Sequence, residues 1–235
     1  MQLGVIGCGT IASAVVRGIA EDGHSITVSR RGSTHANALA EAYENVRIAD
    51  NQAVVDASDV IFLGLMAELA PDVLGALRFR ENQRLVSFMA GATIEEADAM
   101  VVALMMPFPG ISTGGTPLLV QGDTELVGQL FGARNSIFPL RDGAEMAAYL
   151  CAQAVLSPVA RLINDTADWL GDRVSNKEQG EAFLRELVAS NLSETGSAAL
   201  IEALNTPGGF NQRLRLHMEA SGMPEALRDG LNLLE

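Results

Sequence analysis

The chain has 235 residues, 48% hydrophobic and 19% charged, an ordinary globular composition long enough for one large domain or two modest ones. Its net charge of −13 argues against a nucleic-acid backbone or an anionic membrane surface as partner, because like charges repel. The two cysteines, Cys8 and Cys151, are far apart and form neither a disulfide framework nor a metal-ligand spacing, so a reducing, cytoplasmic setting is expected and a metal is not.

Gln2 to Ile6 is an apolar run that reads as a strand, with no basic segment and long apolar stretch before it, so no secretory signal is expected. It ends in Gly7-Cys8-Gly9-Thr10-Ile11-Ala12, and a helical pattern follows with Ile11, Val15, Gly18 and Ile19 on one face. The spacing G-x-G-x-x-A between strand and helix has a mechanism. Gly7 permits the tight turn, Gly9 lets the backbone approach a pyrophosphate, and Ala12 keeps the helix close to the strand, so that free amides face the phosphates. The bland alternative is a glycine-rich turn, but a second strand, Ser25 to Ser29, follows at the spacing that the dinucleotide fingerprint requires. That strand ends in Ser29-Arg30-Arg31, with no carboxylate for a ribose 2′-hydroxyl; two guanidiniums and a hydroxyl suit a 2′-phosphate, so NADP is expected over NAD. Ordinary solvated arginines are the alternative.

A helix is predicted over Ser33 to Tyr43, then a short strand, Val46 to Ala49. Asp50-Asn51 caps a helix whose Ala53, Val54 and Ala57 are expected inside, and Asp59 to Gly64 reads as a buried parallel strand. A helix near Ala70 to Leu77 leads to a strand at Arg84 to Met89, and Ala90-Gly91 turns into a helix over Thr93 to Met100. Val101 to Met106 and Pro117 to Val120 are strands, Thr124 to Gly132 a helix and Ser136 to Leu140 the last strand. The alternation predicts an α/β fold, a Rossmann-type doubly wound parallel sheet. The longest uncharged run, Ala99 to Gly122, is broken by Pro107, Pro109 and Pro117 and by three glycines, so it is not a membrane span.

From Gly143 onward the composition is helical, with breaks near Gly171 to Ser175 and at Thr206-Pro207-Gly208-Gly209. The predicted domains are 1–140, binding the cofactor, and 141–235, all helical. The helical part carries apolar residues such as Leu156, Leu162, Phe183 and Leu187 in a quantity that suggests a homodimer, the alternative being that they all pack on the first domain.

These residues together resemble the pyrroline-5-carboxylate reductase family. The likeness includes Gly7 to Ala12, Asp50-Asn51-Gln52, Ala57 to Leu63, Ser87 to Ala92, Met106-Pro107, and Thr206-Pro207-Gly208-Gly209 with the ending Glu225-Ala226-Leu227. The resemblance implies a Rossmann domain, a helical dimerisation domain and an active site between them that includes the partner subunit. It implies hydride transfer from NADPH to the C=N carbon of a cyclic imine acid. Asn51 would lie near the adenosine end of the cofactor, and Leu65, Met66, Ala90 and Gly91 on its ribose and nicotinamide side. Pro107, Phe108, Gly208, Gly209, Phe210 and Asn211 would meet the substrate, with backbone N–H groups around Gly208 and Gly209 on its carboxylate. The chain departs from the family where Leu65-Met66-Ala67 replaces Val-Lys-Pro, Phe108 to Gly110 replaces Asn-Thr-Pro, Phe210-Asn211 replaces Thr-Thr, and an arginine before Met106-Pro107 is missing. Apolar groups in place of donors leave a carboxylate with fewer partners.

Two other functions remain open at this point: a β-hydroxyacid-type dehydrogenase using the one lysine, Lys177, as acid/base, and a non-catalytic NADP-binding protein. No catalytic residue is identified. His24, His35 and His217 are scattered, Asp165, Asp168 and Asp172 read as a solvated helix face, Ser112 to Thr116 as a polar loop, and Trp169 and Tyr149 as core or interface.

Overall fold

The computed structural model describes residues 1–89 and 100–235. The chain forms two compact units, Met1–Met146 and Ala147–Glu235. The first runs β1 (Gln2–Ile6), α1 (Thr10–Ile19), β2 (Ser25–Ser29), α2 (Ser33–Ala42), β3 (Val46–Ala49), α3 (Asn51–Asp56) and β4 (Val60–Leu63). It continues with α4 (Ala70–Gly75), β5 (Arg84–Ser87), β6 (Met100–Pro107), β7 (Pro117–Gly122), α5 (Thr124–Phe131), β8 (Ser136–Leu140) and the start of α6 (Gly143–Ala152). The expected Ala90-Gly91 turn and nearly all of the expected helix over Thr93 to Met100 lie outside the described residues; Met100 itself opens β6.

The strands make one eight-stranded sheet in the order β3-β2-β1-β4-β5-β6-β7-β8. Pairs from β3 through β6 are parallel, as expected of a doubly wound fold. The pairing of β6 with β7 is antiparallel, the one exception among these pairs of the expected parallel sheet, and β8 then runs parallel to β7. A parallel partner needs a crossover of a dozen residues or so, whereas residues 108–116 between these strands hold only a 3-10 turn at Pro109–Ser112.

Strand β4 shows why the unit holds together. Val60 and Phe62 enter one apolar cluster with Val15, Val28 and Val120, while Ile61 and Leu63 enter a second with Val54, Leu74 and Leu85 on the opposite face. An unbroken apolar strand is buried on both sides because helices cover both sides. Phe62 stacks on Phe88 at 5.5 Å between ring centroids and meets Phe131 edge-on at 5.9 Å. On α1, Val15, Gly18 and Ile19 are buried and Ile11 half-buried. On α3 Val54 is buried as expected, together with Val55, whereas Ala53 and Ala57 are only half-buried; Ala57 caps the end of the helix.

The loop between β6 and β7 docks on α1. A side chain at Gly18 would put its Cβ 2.4 Å from the carbonyl oxygen of Ile111, itself buried. Arg134 closes the C-terminal end of the same helix, donating to the Gly18 carbonyl at 3.2 Å and to Asp22 Oδ1 at 2.7 Å.

The second unit contains the end of α6, then α7 (Leu156–Gly171), α8 (Lys177–Glu194), α9 (Ser197–Ala203), α10 (Phe210–Ala220) and α11 (Met223–Asn232). In it Gly171 alone is fully buried, whereas Leu156, Trp169, Phe183, Leu192 and Leu214 are all at least half exposed. Val155, Val159 and Leu162 share a groove of about 620 Å³ with Met223, Leu227 and Leu231 of α11. The run Gly143–Gly171 has the length and apolar content of a membrane span. A 3-10 turn at Gln153–Val155 interrupts it, and Arg161 pairs with Asp165 through two contacts of 2.8 and 2.9 Å.

Gly18→Ala should lower stability by about 1–3 kcal/mol, the usual cost of overpacking a tight contact. A melting temperature several degrees below that of the parent is expected; an unchanged one would contradict the close approach.

Candidate cofactor and substrate sites

The turn after β1 is built by short backbone contacts. Gly7 has φ +88°, a conformation that other residues rarely adopt, and a Cβ there would lie 2.5 Å from the Gly64 carbonyl oxygen. Its N–H donates to Ser29 Oγ at 2.9 Å, and that hydroxyl is wholly buried at the end of β2. Gly9 N–H closes the turn on the Gly7 carbonyl at 3.1 Å. The first α1 amide to bond backwards is that of Ser13, which donates to the Gly9 carbonyl at 2.8 Å. The amides of Thr10, Ile11 and Ala12 therefore have no partner among the described residues. No side chain caps α1 and no acid stands in its first turn, so nothing offsets the positive end of the helix.

This turn opens into a concavity of about 200 Å³, whose lining includes Gly9, Arg31, Gly32, Leu65 and Met66. A Cβ at Gly9 would meet nothing within 4 Å, so there is room for a ligand to reach the backbone. Free amides, a helix N-terminus and an exposed guanidinium fit a phosphate-bearing dinucleotide. Arg30 and Arg31 are both exposed, and neither makes a salt bridge among the described residues. The structure thus brings Gly7, Gly9, Arg31, Leu65 and Met66 to one concavity; Thr10, Ile11, Ala12 and Arg30 are not in its lining.

Ser29 differs from expectation. Its hydroxyl accepts the Gly7 amide and is out of reach of solvent, so it holds the turn and does not offer itself to a ribose phosphate. Asn51 opens α3, which Asp50 caps by accepting from the Ala53 amide at 2.9 Å; Asn51 does not line the concavity. Ala90 and Gly91, assigned to the cofactor by resemblance, lie outside the described residues.

Pro107 ends β6, and Phe108 follows it; both are half-buried. Because β6 runs parallel to β5, they leave the sheet at the same carboxyl edge as Gly7 and Gly64. In the second unit Gly208 has φ +75° and Gly209 precedes α10. The amides of these two glycines are engaged within the loop. Gly208 N–H donates to Gln212 Oε1 at 2.8 Å and Gly209 N–H to the Thr206 carbonyl at 3.0 Å. As folded here, both expected carboxylate donors already have partners. The first backward bond of α10 is Arg213 N–H to the Gly209 carbonyl at 3.0 Å, so the amides left over are those of Phe210, Asn211 and Gln212.

Two residues that the sequence reading passed over fix this loop. Gln212 accepts from Gly208 and donates to the Asn205 side chain at 3.2 Å, and Arg215 donates to the same Asn205 oxygen at 2.9 Å. A glutamine three residues after a helix N-cap is a known sign of such back-bonding, so Gln212 was findable. Phe210 is 87% exposed and shares an open face of α10 with Arg213, Leu214 and His217.

Lys177 stands at the start of α8, with its methylenes against Gly171 and Nζ 3.7 Å from Asp172 Oδ1. It fastens the turn between α7 and α8. His24 immediately precedes β2, its Nδ1 lies 3.3 Å from the terminal amino group of Met1, and burial holds its pKa below the ordinary value. Trp169 carries Arg173 over its ring at 4.0 Å and is exposed, not core. Among the described residues no group of three metal-ligating side chains comes together.

Residues 2–91, less than half of the chain, match the family model described as NADP oxidoreductase coenzyme F420-dependent. A 1-pyrroline-5-carboxylate reductase from Streptococcus pyogenes superposes with a TM-score of 0.80 at 21% identity, over 99% of this chain and 95% of the other. A pyrroline carboxylate reductase from Plasmodium falciparum with NADP bound gives 0.78 at 14% identity, over 100% and 95%. An imine reductase from a Pseudomonas species gives 0.65 at 18% identity, over 99% and 86%. The chain therefore has the fold of these reductases along nearly its whole length.

Cys8 lies inside the turn with no exposed surface, and burial pushes its thiol up to about 11 against the opposing pull of Arg17. A thiol so placed stays protonated near neutrality and is no nucleophile. A thiol reagent at pH 8 should leave Cys8 unmodified in the folded protein and reach it after unfolding, as read by peptide mass. Labelling of Cys8 in the folded chain would contradict its burial.

Proposed function

We propose that the protein is an NADPH-dependent imine reductase, with 1-pyrroline-5-carboxylate as its substrate. The observation that carries the reading is the conjunction of a glycine turn with free amides, beside exposed Arg30 and Arg31 that make no salt bridge among the described residues, with a fold that follows pyrroline-5-carboxylate reductases over 99% of the chain. Bound NADPH supplies a hydride to the carbon of a C=N bond.

What the chain itself does is bind and orient. The amides of Thr10, Ile11 and Ala12 and the positive end of α1 take the pyrophosphate. Arg30 and Arg31 take the 2′-phosphate, for which a planar fork of donors is better suited than a carboxylate. Leu65 and Met66 offer an apolar wall, and Asn51 is assigned to the adenosine side by resemblance. A protonated imine is already electrophilic, so positioning carries most of the chemistry. For the substrate carboxylate the reading assigns the amides of Phe210, Asn211 and Gln212, in place of those of Gly208 and Gly209. Pro107 and Phe108 are assigned to its apolar ring.

The exposed apolar side chains of the helical unit support a homodimer formed through it, since a monomer would leave Leu156, Phe183 and Leu192 in water. The free Cys8 and Cys151 support a reducing, cytoplasmic setting. The rival β-hydroxyacid dehydrogenase has less support, because Lys177 stands exposed at the start of α8, 3.7 Å from Asp172 Oδ1 and with its methylenes against Gly171.

The test is NADPH oxidation, followed as loss of absorbance, with Δ1-pyrroline-5-carboxylate and with NADH as the matched control. Turnover should be faster with NADPH, and the double variant Arg30→Ala/Arg31→Ala should lower kcat/KM for NADPH about 10- to 100-fold, as loss of charge-assisted hydrogen bonds does. A preference for NADH would overturn the assignment of the arginines. Tight NADPH binding without turnover of this or other small imines would favour a non-catalytic binding protein.

A further inference from the structure

We infer that Gly32 is a specificity-determining residue, because it seats the arginine loop on the phosphate turn and so sets the preference for a 2′-phosphorylated cofactor. The inference rests on the proposed NADP reading and concerns how that reading is built into the backbone.

The loop between β2 and α2 is only three residues, Arg30, Arg31 and Gly32; Arg30 N–H ties it to the Ala49 carbonyl at the end of β3 at 3.2 Å, and three contacts seat it on the phosphate turn. At its base the buried Ser29 hydroxyl accepts the Gly7 amide at 2.9 Å. In its middle the Arg31 carbonyl accepts the Cys8 amide at 3.3 Å. At its end Gly32 lies so close to the turn that a Cβ would fall 2.1 Å from the Cys8 carbonyl oxygen and 2.8 Å from its carbon. The obstacle is backbone on both sides, with no flexible side-chain end to swing away. Gly32 also has φ +84° and is the residue from which α2 starts, its carbonyl accepting from Ala36 N–H at 3.0 Å.

Consider what a side chain here would do. Ordinary van der Waals contact begins near 3.4 Å, so a Cβ at 2.1 Å forces the loop and turn apart by about 1 Å or more. The turn also has fastenings that do not involve the loop: Gly9 N–H bonds the Gly7 carbonyl, and Gly64 packs beneath. The loop is exposed and bonded to its neighbours through Arg30 N–H, which donates to the Ala49 carbonyl, and the Gly32 carbonyl, which accepts from Ala36 N–H, so it is the part that shifts, and it takes Arg31 with it. The pyrophosphate amides stay where they are. Displacement of this size is damaging for a bidentate guanidinium contact, whose strength depends on geometry. Loss of a Cβ-free position at 32 would thus act on the 2′-phosphate and leave binding of the shared dinucleotide body nearly intact.

Gly32→Ala is to be compared with the parent in titrations of NADPH and NADH, read by nicotinamide fluorescence and needing no turnover. NADPH affinity should fall about tenfold or more while NADH affinity changes less than about threefold. Exchange of the Cys8 amide with deuterium should quicken as its bond to Arg31 is lost. Equal loss for both cofactors would overturn the inference by showing a general structural role, and an unchanged ratio would overturn it too. Should Gly32→Ala fail to fold, a variant with one glycine inserted after Gly32 tests the same tether without a clash. It should show the same selective loss, and a retained ratio would overturn the inference. The double variant Arg30→Ala/Arg31→Ala separates the two levels. If the parent does not prefer NADPH, or keeps that preference without the arginines, the NADP reading fails and the inference with it. If the arginines matter and Gly32→Ala keeps the ratio, the inference alone fails.

Discussion

The hydrogen bond from the Gly7 amide to the buried Ser29 hydroxyl joins the ends of β1 and β2 at the point where the chain must also make its tightest turn. A buried amide without a partner costs about 1–3 kcal/mol, so the position at the end of β2 has to supply an acceptor. Ser29 supplies it with a hydroxyl that stays inside, and this frees the next two residues to face outward as arginines. The close passage of Gly64 under Gly7, with an imagined Cβ 2.6 Å from the Gly7 carbonyl oxygen, completes the arrangement from the β4 side. Three strand ends are thereby held together by one buried hydroxyl and a close backbone passage, and the amides at the start of α1 are presented without a side-chain cap. An overall charge of −13 makes this local concentration of positive potential more pointed, because so little else in the chain would attract an anion.

The two units are stabilised in different ways. In the first, apolar strands are covered on both faces, and the buried set runs from Leu3 to Met146. In the second, helices of 16 and 18 residues leave most of their apolar side chains in water, Trp169 and Phe183 among them, and Phe210 at the start of α10 is more exposed still. Burial of a large apolar side chain contributes roughly 1.5–3 kcal/mol, which the helical unit forgoes at many positions when considered by itself. The proposed dimer is the physical response to that deficit. The polar network of Asn205, Gln212 and Arg215 shows that the loop before α10 is nonetheless ordered from within.

Much of the first unit was legible because its signals are periodic or local. The apolar run of β4, the G-x-G-x-x-A turn and the Asp50 cap each follow from a rule about neighbouring residues, and the structure has them where the spacing put them. The reversal between β6 and β7 was less visible, since apolar content does not reveal strand direction; only the absence of a crossover helix in residues 108–116 does. The side chain of Ser29 illustrates a harder limit. Its position at the end of β2 was apparent, but whether a hydroxyl points to solvent or to a backbone amide depends on a turn 22 residues away. The same holds for the amides of Gly208 and Gly209, whose engagement with Gln212 and Thr206 decides what they can bind. Contacts of Gly32 with Cys8 and of Gly18 with Ile111 are invisible in sequence, because a glycine states that a side chain is missing and not what takes its place.

The central claim is that the turn and the arginine loop together recognise a dinucleotide carrying a 2′-phosphate, and the most direct test omits the nicotinamide altogether. Titration calorimetry would compare ADP-ribose with its 2′-phosphorylated form. The account predicts that both bind and that the phosphorylated ligand binds at least about tenfold more tightly, with the difference shrinking as salt is raised. Equal affinities would contradict the role of Arg30 and Arg31, and no binding of either would contradict the reading of the turn itself.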